Sequence, residues 1–196
     1  MAKRMIHLVA ADPSIARKVQ RKLNEAGFGC KIHRSVEAAA NSAAPGLVLV
    51  EDQGDLVETM FAAMREFGRF HCIVAFAAQC CAHRVIDVTR LGATDYLQVP
   101  IDVDLMRARL QLAIDLGILQ AKEQTESALA QKLVAKLSPR EREVLDQFIP
   151  GRTNREVAKI LKISHRTVEI HKGHITKKFA VKRFSAAVRI GLQAIG

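Results

Sequence analysis

The sequence predicts an α/β domain built on a five-stranded parallel sheet, followed by an all-α domain that carries a helix-turn-helix. Three observations predict it. Over residues 1–119, five short apolar runs alternate with stretches of helical spacing. Runs apolar on both faces belong to parallel sheets covered by helices on both sides. Between Leu137 and Phe179, three helix starts follow one another closely. The charge divides at the same place: residues 136–196 hold 14 Lys and Arg against 5 Asp and Glu, whereas residues 1–135 hold 16 against 15. The chain has 196 residues, enough for two domains and a substantial core.

Taken in order, Ile6–Ala10 is the first apolar run and ends near Asp12-Pro13. Ile15, Val19 and Leu23 then recur at helical spacing as far as Gly27. Cys30–His33 is a short second strand. Ser35 caps a helix with Glu37 in its first turn, running through the alanines to Ala44, and Pro45-Gly46 is a turn. Leu47–Val50 is a continuous apolar strand. Asp55–Phe67 is a helix with Leu56, Met60, Ala63 and Phe67 on one face. Cys72–Phe76 is wholly apolar, His83–Leu91 is a helix stopped by Gly92, and Tyr96–Val99 is a fifth strand before Pro100. In such sheets functional sites lie beyond the strand C-termini.

From Asp102 to Leu137 there is no proline and one glycine, Gly117, so one long helix is expected to join the domains. Leu112, Leu116 and Leu119 recur at three- and four-residue spacing, as do Leu129, Leu133 and Leu137, around the polar KEQTES. Two readings stay open, a solvated link and a dimerisation seam.

Ser138 stands before Pro139 with Glu141 three residues on, and Thr153 has Glu156 three residues on. Both are capping boxes, in which the hydroxyl accepts an amide and the glutamate reaches back to the cap amide. Ser164 opens a third helix, separated from the second only by Lys162 and Ile163. So short a connection makes the two helices cross. Val157, Ile160 and Leu161 are expected to face inward. In the third helix, about His165–Lys178, an advance of about 100° per residue sets Val168, Ile175 and Phe179 on a buried stripe. Arg166, Ile170, Gly173 and Lys177 fall on the opposite face with Glu169 at its edge, a surface of the size that enters a DNA major groove. A last helix, after a cap at Ser185, runs through Ala187, Val188, Ile190, Gly191 and Ala194.

LSPREREVL, GRTNREVAKIL and ISHRTVEIH resemble the LuxR-type helix-turn-helix of NarL/FixJ response regulators. The likeness covers roughly the last third of the chain. It implies a four-helix DNA-binding domain acting as a dimer on two half-sites, with Ala186–Ile195 as a dimer surface or as closure of the domain core. Residues 1–119 resemble a receiver domain, flavodoxin-like in fold, most clearly at LGATDYLQVPID. The expected domains are therefore a receiver-like unit over 1–119, a helical linker over 120–135 and a LuxR-type unit over 136–196.

The resemblance also says what a working receiver needs: an acidic pair for Mg²⁺ after the first strand, a phosphoacceptor Asp after the third, a Thr or Ser after the fourth, and a Lys before the final Pro. Magnesium wants carboxylates, and the hydroxyl and ammonium bond phosphoryl oxygens. Here the acidic pair is Ala10-Ala11 with Asp12 beyond it, the hydroxyl position is Ala77 and the lysine position is Val99. Tyr96, at the switch-aromatic position, is retained. At LVLVED two registers are open, one placing Glu51 at the acceptor position and the other Asp52. A lone carboxylate without charge neutralisation is a poor phosphoryl acceptor, so a pseudo-receiver independent of aspartyl phosphorylation is expected.

For DNA, the expected phosphate contacts are Arg152, Thr153, Arg155, Thr167 and Lys172. Arg166 is suited to guanine, Glu169 to cytosine N4, Ile170 to a thymine methyl and Lys177 to either role; Gly173 permits close approach. The expected partners are double-stranded DNA, a second copy of the chain, and a sensor kinase or other signalling protein at the receiver-like domain. A redox role for Cys72, Cys80 and Cys81 is one reading, and idle or buried thiols the other. Their spacing matches no common metal pattern, and neither a metal nor a cofactor is expected. With no apolar run of the ~18 residues a membrane span needs, the protein is expected in the cytoplasm. No phosphate loop, nucleophile elbow or zinc-protease motif supports an enzyme. The competing readings are an interaction adaptor and a conventional regulator phosphorylated at Asp52.

Overall fold

The computed structural model describes residues 3–42 and 45–195. Its sheet has the order β2-β1-β3-β4-β5 and every pairing is parallel. The strands are β1 (Met5–Val9), β2 (Gly29–Ile32), β3 (Leu47–Glu51), β4 (Cys72–Ala77) and β5 (Asp95–Gln98). Between them run α1 (Pro13–Glu25), α2 (Val36–Ala40), α3 (Leu56–Phe67) and α4 (Ala82–Leu91). Alternate residues of each strand serve two cores. Ile6, Leu8, Leu47, Leu49, Val74 and Phe76 pack with α1 and the next long helix. Val9, Val48, Val50, Ile73 and Ala75 pack with α2, α3 and α4. Each such Val, Leu, Ile or Phe side chain, almost wholly removed from water, contributes about 1.5–3 kcal/mol before chain entropy is counted.

The expected strands are present, displaced by a residue. β1 ends at Val9 and leaves Ala10 outside, β3 extends to the buried Glu51, and β5 ends before Val99. α2 closes at Asn41; Ala43 and Ala44, expected at its end, lie outside the described residues. Asp12 caps α1, its carboxylate accepting from Ser14 N at 2.7 Å.

The helix expected after Asp102 is continuous: α5 spans Val103–Val134. The Asp102 carboxylate accepts from the amides of Asp104 and Leu105, which starts it. Gly117 lets it lie against β4, because a Cβ there would overlap the Cys72 sulfur and stand 2.9 Å from the Cys72 Cβ. Near its middle, Thr125 Oγ1 accepts from Phe70 N at 2.8 Å. Leu112, Leu116 and Leu119 point outward, 57%, 63% and 63% exposed. Leu133 and Leu137 instead join a third core, and Leu129 stays exposed.

That third core belongs to α6 (Pro139–Phe148), α7 (Asn154–Leu161), α8 (His165–Lys178) and α9 (Phe184–Gln193). Val144, Leu145, Val157, Val168, Ile175 and Ala187 are fully buried in it. Both capping boxes form, and Glu141 in addition takes the Lys178 ammonium at 2.5 Å. Lys162 adopts the left-handed conformation that turns α7 into α8. Two expectations fail. Ile160 is 48% exposed, because the inward arc of α7 is filled by Val157 and Ala158. α9 starts at Phe184 with Arg183 as its N-cap, so Ser185 is inside the first turn; the Phe184 ring is drawn onto Phe148, edge to face at 4.8 Å. The chain divides into two compact units, Met1–Thr125 and Glu126–Gly196, and residues 120–135 are shared between them.

Candidate DNA interface and receiver edge

Helix α8 has two unlike sides. Val168 and Ile175 are sealed in the core, and Phe179, which caps its end, is buried with them. Arg166, Glu169, Ile170, Gly173 and Lys177 all lie on exposed surface. A Cβ added at Gly173 would meet nothing within 4 Å, so no intramolecular packing asks for glycine there. Ser164 starts the helix, its hydroxyl accepting from Thr167 N at 3.0 Å and sharing a second bond with Thr167 Oγ1. Arg152, Thr153 and Arg155 are exposed around the start of α7; Arg152 donates to Gln147 Oε1 at 2.6 Å.

Lys172 departs from the expected role. Its ammonium is drawn inward, over the rings of Phe148 and Phe184 at 5.4 and 5.1 Å. It donates to Asn154 Oδ1 at 3.1 Å and to Glu169 Oε1 at 2.9 Å. Asn154 Nδ2 donates to the same Glu169 oxygen. The Lys172 bond, and then its charge, hold the Glu169 carboxyl below its ordinary range. Glu169 is therefore a pre-oriented acceptor at the edge of the exposed face, and Asn154 is a residue that the sequence did not single out.

At the other end of the chain, the C-terminal edge of the sheet separates two adjacent carboxylates. Glu51 Oε2 accepts from Ala11 N at 2.8 Å and Asp12 N at 3.4 Å, so it reaches the loop after β1. Asp52 turns the other way. Both its oxygens accept from Arg84 Nε at 3.0 Å, and Tyr96 donates its hydroxyl at 2.7 Å. Arg84 also donates to Glu58 at 2.8 Å. Burial raises the Asp52 carboxyl, but the bonds from Arg84 and Tyr96 and the Arg84 charge outweigh it and leave the pKa low. The Asp52 side chain is 6% exposed.

Residues 135–190 match the family described as bacterial regulatory proteins, luxR family. The chain is 27% identical over 199 residues to the transcriptional regulatory protein FixJ of Bradyrhizobium diazoefficiens, covering 96% of this chain and 95% of that one. It is 30% identical over 133 residues to the nitrate/nitrite response regulator NarL of Escherichia coli K12, covering 63% of this chain and 62% of that one. The crystal structure of full-length FixJ from B. japonicum superposes with a TM-score of 0.53 at 25% identity, over 99% of this chain and 98% of that one. Along its whole length the chain is thus similar to response regulators of the NarL/FixJ type. It is a transcription regulator with a LuxR-type helix-turn-helix and a receiver-like N-terminal domain.

In this regulator the positions that a receiver fills with polar groups are apolar. Ala10 and Val99 pack against the first core and Ala77 against the second. Among the described residues, no group of three or more His, Cys, Asp or Glu side chains is disposed to hold a metal, and no helix is long and apolar enough to cross a membrane. The three cysteines of the redox reading are not brought together. Cys72 begins β4, whereas Cys80 and Cys81 follow its end, so five further strand residues, about 17 Å, intervene. Cys72 is buried, which raises its thiol pKa, and all four cysteines are free. Arg84 was not legible either, since nothing in the periodicity of α4 marks a partner just beyond β3.

Proposed function

We propose that this regulator binds specific duplex DNA as a dimer in the cytoplasm and does so without aspartyl phosphorylation. The observation that carries the DNA part is the exposed Arg166, Glu169, Ile170, Gly173 and Lys177 face opposite the sealed stripe of α8. In this reading Arg166, Glu169 and Ile170 read base edges. Arg152, Thr153, Arg155, Thr167 and Lys177 hold phosphates, Gly173 admits the groove wall, and Lys172 positions Glu169. The row Leu112, Leu116 and Leu119, together with α9, supplies the dimer contacts. Residues 120–135 work as the link between the domains 1–119 and 136–196, and a sensor kinase or another signalling protein meets the receiver-like domain.

Glu51 takes the acceptor position, because its carboxylate faces the loop that holds Ala10 and Ala11. Asp52, the alternative acceptor, is already occupied by Arg84 and Tyr96. Gel shift on genomic fragments at physiological salt is expected to give discrete high-affinity sites; uniform affinity for all fragments would refute the DNA reading. Arg166→Ala is expected to lose about 1–3 kcal/mol on a cognate site and much less on random duplex. Incubation with Mg²⁺ and acetyl phosphate is expected to leave the mass unchanged. An acid-labile adduct on Asp52 would restore the conventional reading.

A further inference from the structure

Beside the receiver edge lies a cavity of about 420 Å³ that the reading above leaves unused. It opens at the C-terminal ends of the strands, where sheets of this kind bind ligands, and its volume falls within the ~300–1,000 Å³ of small-molecule sites. Ile15 of α1 and Val99, Pro100 and Ile101 after β5 form its accessible apolar wall, over a floor of the core residues Val19, Phe76 and Met106. Val99 stands where the family resemblance would put a lysine, so this wall is apolar in this chain for a reason that can be named.

The polar part of the lining is uneven. Lys18, Arg21 and Lys22 of α1 border the cavity, against one carboxylate, Glu51. Glu51 is already committed to the amides of Ala11 and Asp12. Arg21 and Lys22 share Glu25 loosely, at 3.8 and 3.5 Å. Asp12 and Asp102 feel the Lys18 and Lys22 charges, but both are exposed helix caps outside the lining.

We propose that this cavity binds a small amphipathic organic anion, with its apolar body against Ile15, Val99, Pro100 and Ile101 and its anionic group against Lys18 and Lys22. The proposal deepens the phosphate-independent reading, since it supplies a chemical input at an edge without phosphoryl chemistry. Its test is separate from the acetyl phosphate experiment, which an empty or a filled cavity leaves unaffected.

The full-length chain is titrated with 8-anilinonaphthalene-1-sulfonate, followed by fluorescence. One saturable site per chain is expected, displaced by 4-phenylbutyrate and not by 4-phenylbutylamine. Lys18→Glu/Lys22→Glu is expected to weaken binding about fivefold or more, since both lysines are partly solvated. Val99→Trp, which fills the space, is expected to weaken it at least about tenfold. Ile86→Ala, at an exposed apolar position on α4, is expected to change nothing. If Val99→Trp does not fold, the exposed lysine pair and the two competitors carry the test alone. Non-saturable binding, equal displacement by acid and amine, or a lysine-pair variant that binds like the wild type would each overturn the proposal.

Discussion

Glu51 and Asp52 are adjacent and yet serve opposite faces, because successive residues of a strand point to opposite sides. Glu51 continues the set Leu47, Leu49 toward α1, and Asp52 leaves toward α4. Removing either leaves different groups unsatisfied. Asp52→Ala strands a 30%-exposed guanidinium that keeps only Glu58, so a loss of about 2 kcal/mol is expected in urea unfolding. Glu51→Ala frees the amides of Ala11 and Asp12 and is expected to cost about 1–2 kcal/mol, less for Glu51→Gln, which keeps an acceptor. A second residue-scale device is the histidine pair His7 and His33, stacked at 4.9 Å with Nδ1 and Nε2 2.7 Å apart. Two neutral rings share one hydrogen there, whereas two protonated rings would set donor against donor. Burial, and then the His33, His71 and Lys31 charges, lower His7 from 6.5 to about 4. The unfolded chain thus takes up a proton that the fold refuses: the stability is complete above pH 6.5 and is lost as pH falls toward 4. Allowing for solvent around a partly exposed ring, about 1–2 kcal/mol is expected to disappear across that window. Urea titrations at pH 7 and pH 4.5 measure it, and His7→Gln is expected to flatten the difference.

Two helical glycines show how an element's surroundings decide the sign of one substitution. Gly117 faces β4, where a new methyl group would overlap Cys72 and approach Thr94 Oγ1 to 3.0 Å. Gly117→Ala is expected to cost about 1–3 kcal/mol of overpacking, despite its better helix propensity. Gly173 faces open space, and Gly173→Ala is expected to gain up to about 1 kcal/mol in thermal unfolding. If the groove wall lies against it, the same variant weakens cognate DNA in gel shift; more stable protein with unchanged affinity would remove Gly173 from the interface. The sequence distinguished the faces of α8 because one period runs through it uninterrupted, with Val168, Ile175 and Phe179 buried. It misjudged Ile160 because α7 is only eight residues long, too short for its period to exclude one apolar side chain. It misplaced the start of α9 because a serine hydroxyl is a strong local signal, and the packing of Phe184 on Phe148 overrode it. The register of Glu51 and Asp52 stayed open for a related reason: a slip of one residue exchanges the two faces of a strand, and LVLVED is apolar on both.

On the scale of the whole molecule, the order of strands and helices along the chain was written in alternating apolar runs and caps, and these are local signals. The inward turn of Lys172 and the clasp of Arg84 on Asp52 are long-range, and no spacing announces them. The charge division is likewise readable from composition, and it makes a measurable claim about the assembly. Lys172 is held over Phe148 and Phe184, so Lys172→Ala is expected to lower stability and leave the salt dependence of DNA binding nearly as it was. On the proposed DNA reading the phosphate-contacting cations are then Arg152, Arg155 and Lys177, three on each protomer. If two protomers bind together, about six counterions are released, and log K against log salt should fall with a slope of roughly −5. One substitution on a dimer removes two contacts. Arg155→Ala should therefore flatten the slope by about 2, whereas on a monomer it would do so by about 1. Fluorescence anisotropy of a labelled cognate duplex between 50 and 200 mM salt separates these values. A flattening near 1 would sink the dimer, and none at all would move Arg155 off the phosphates.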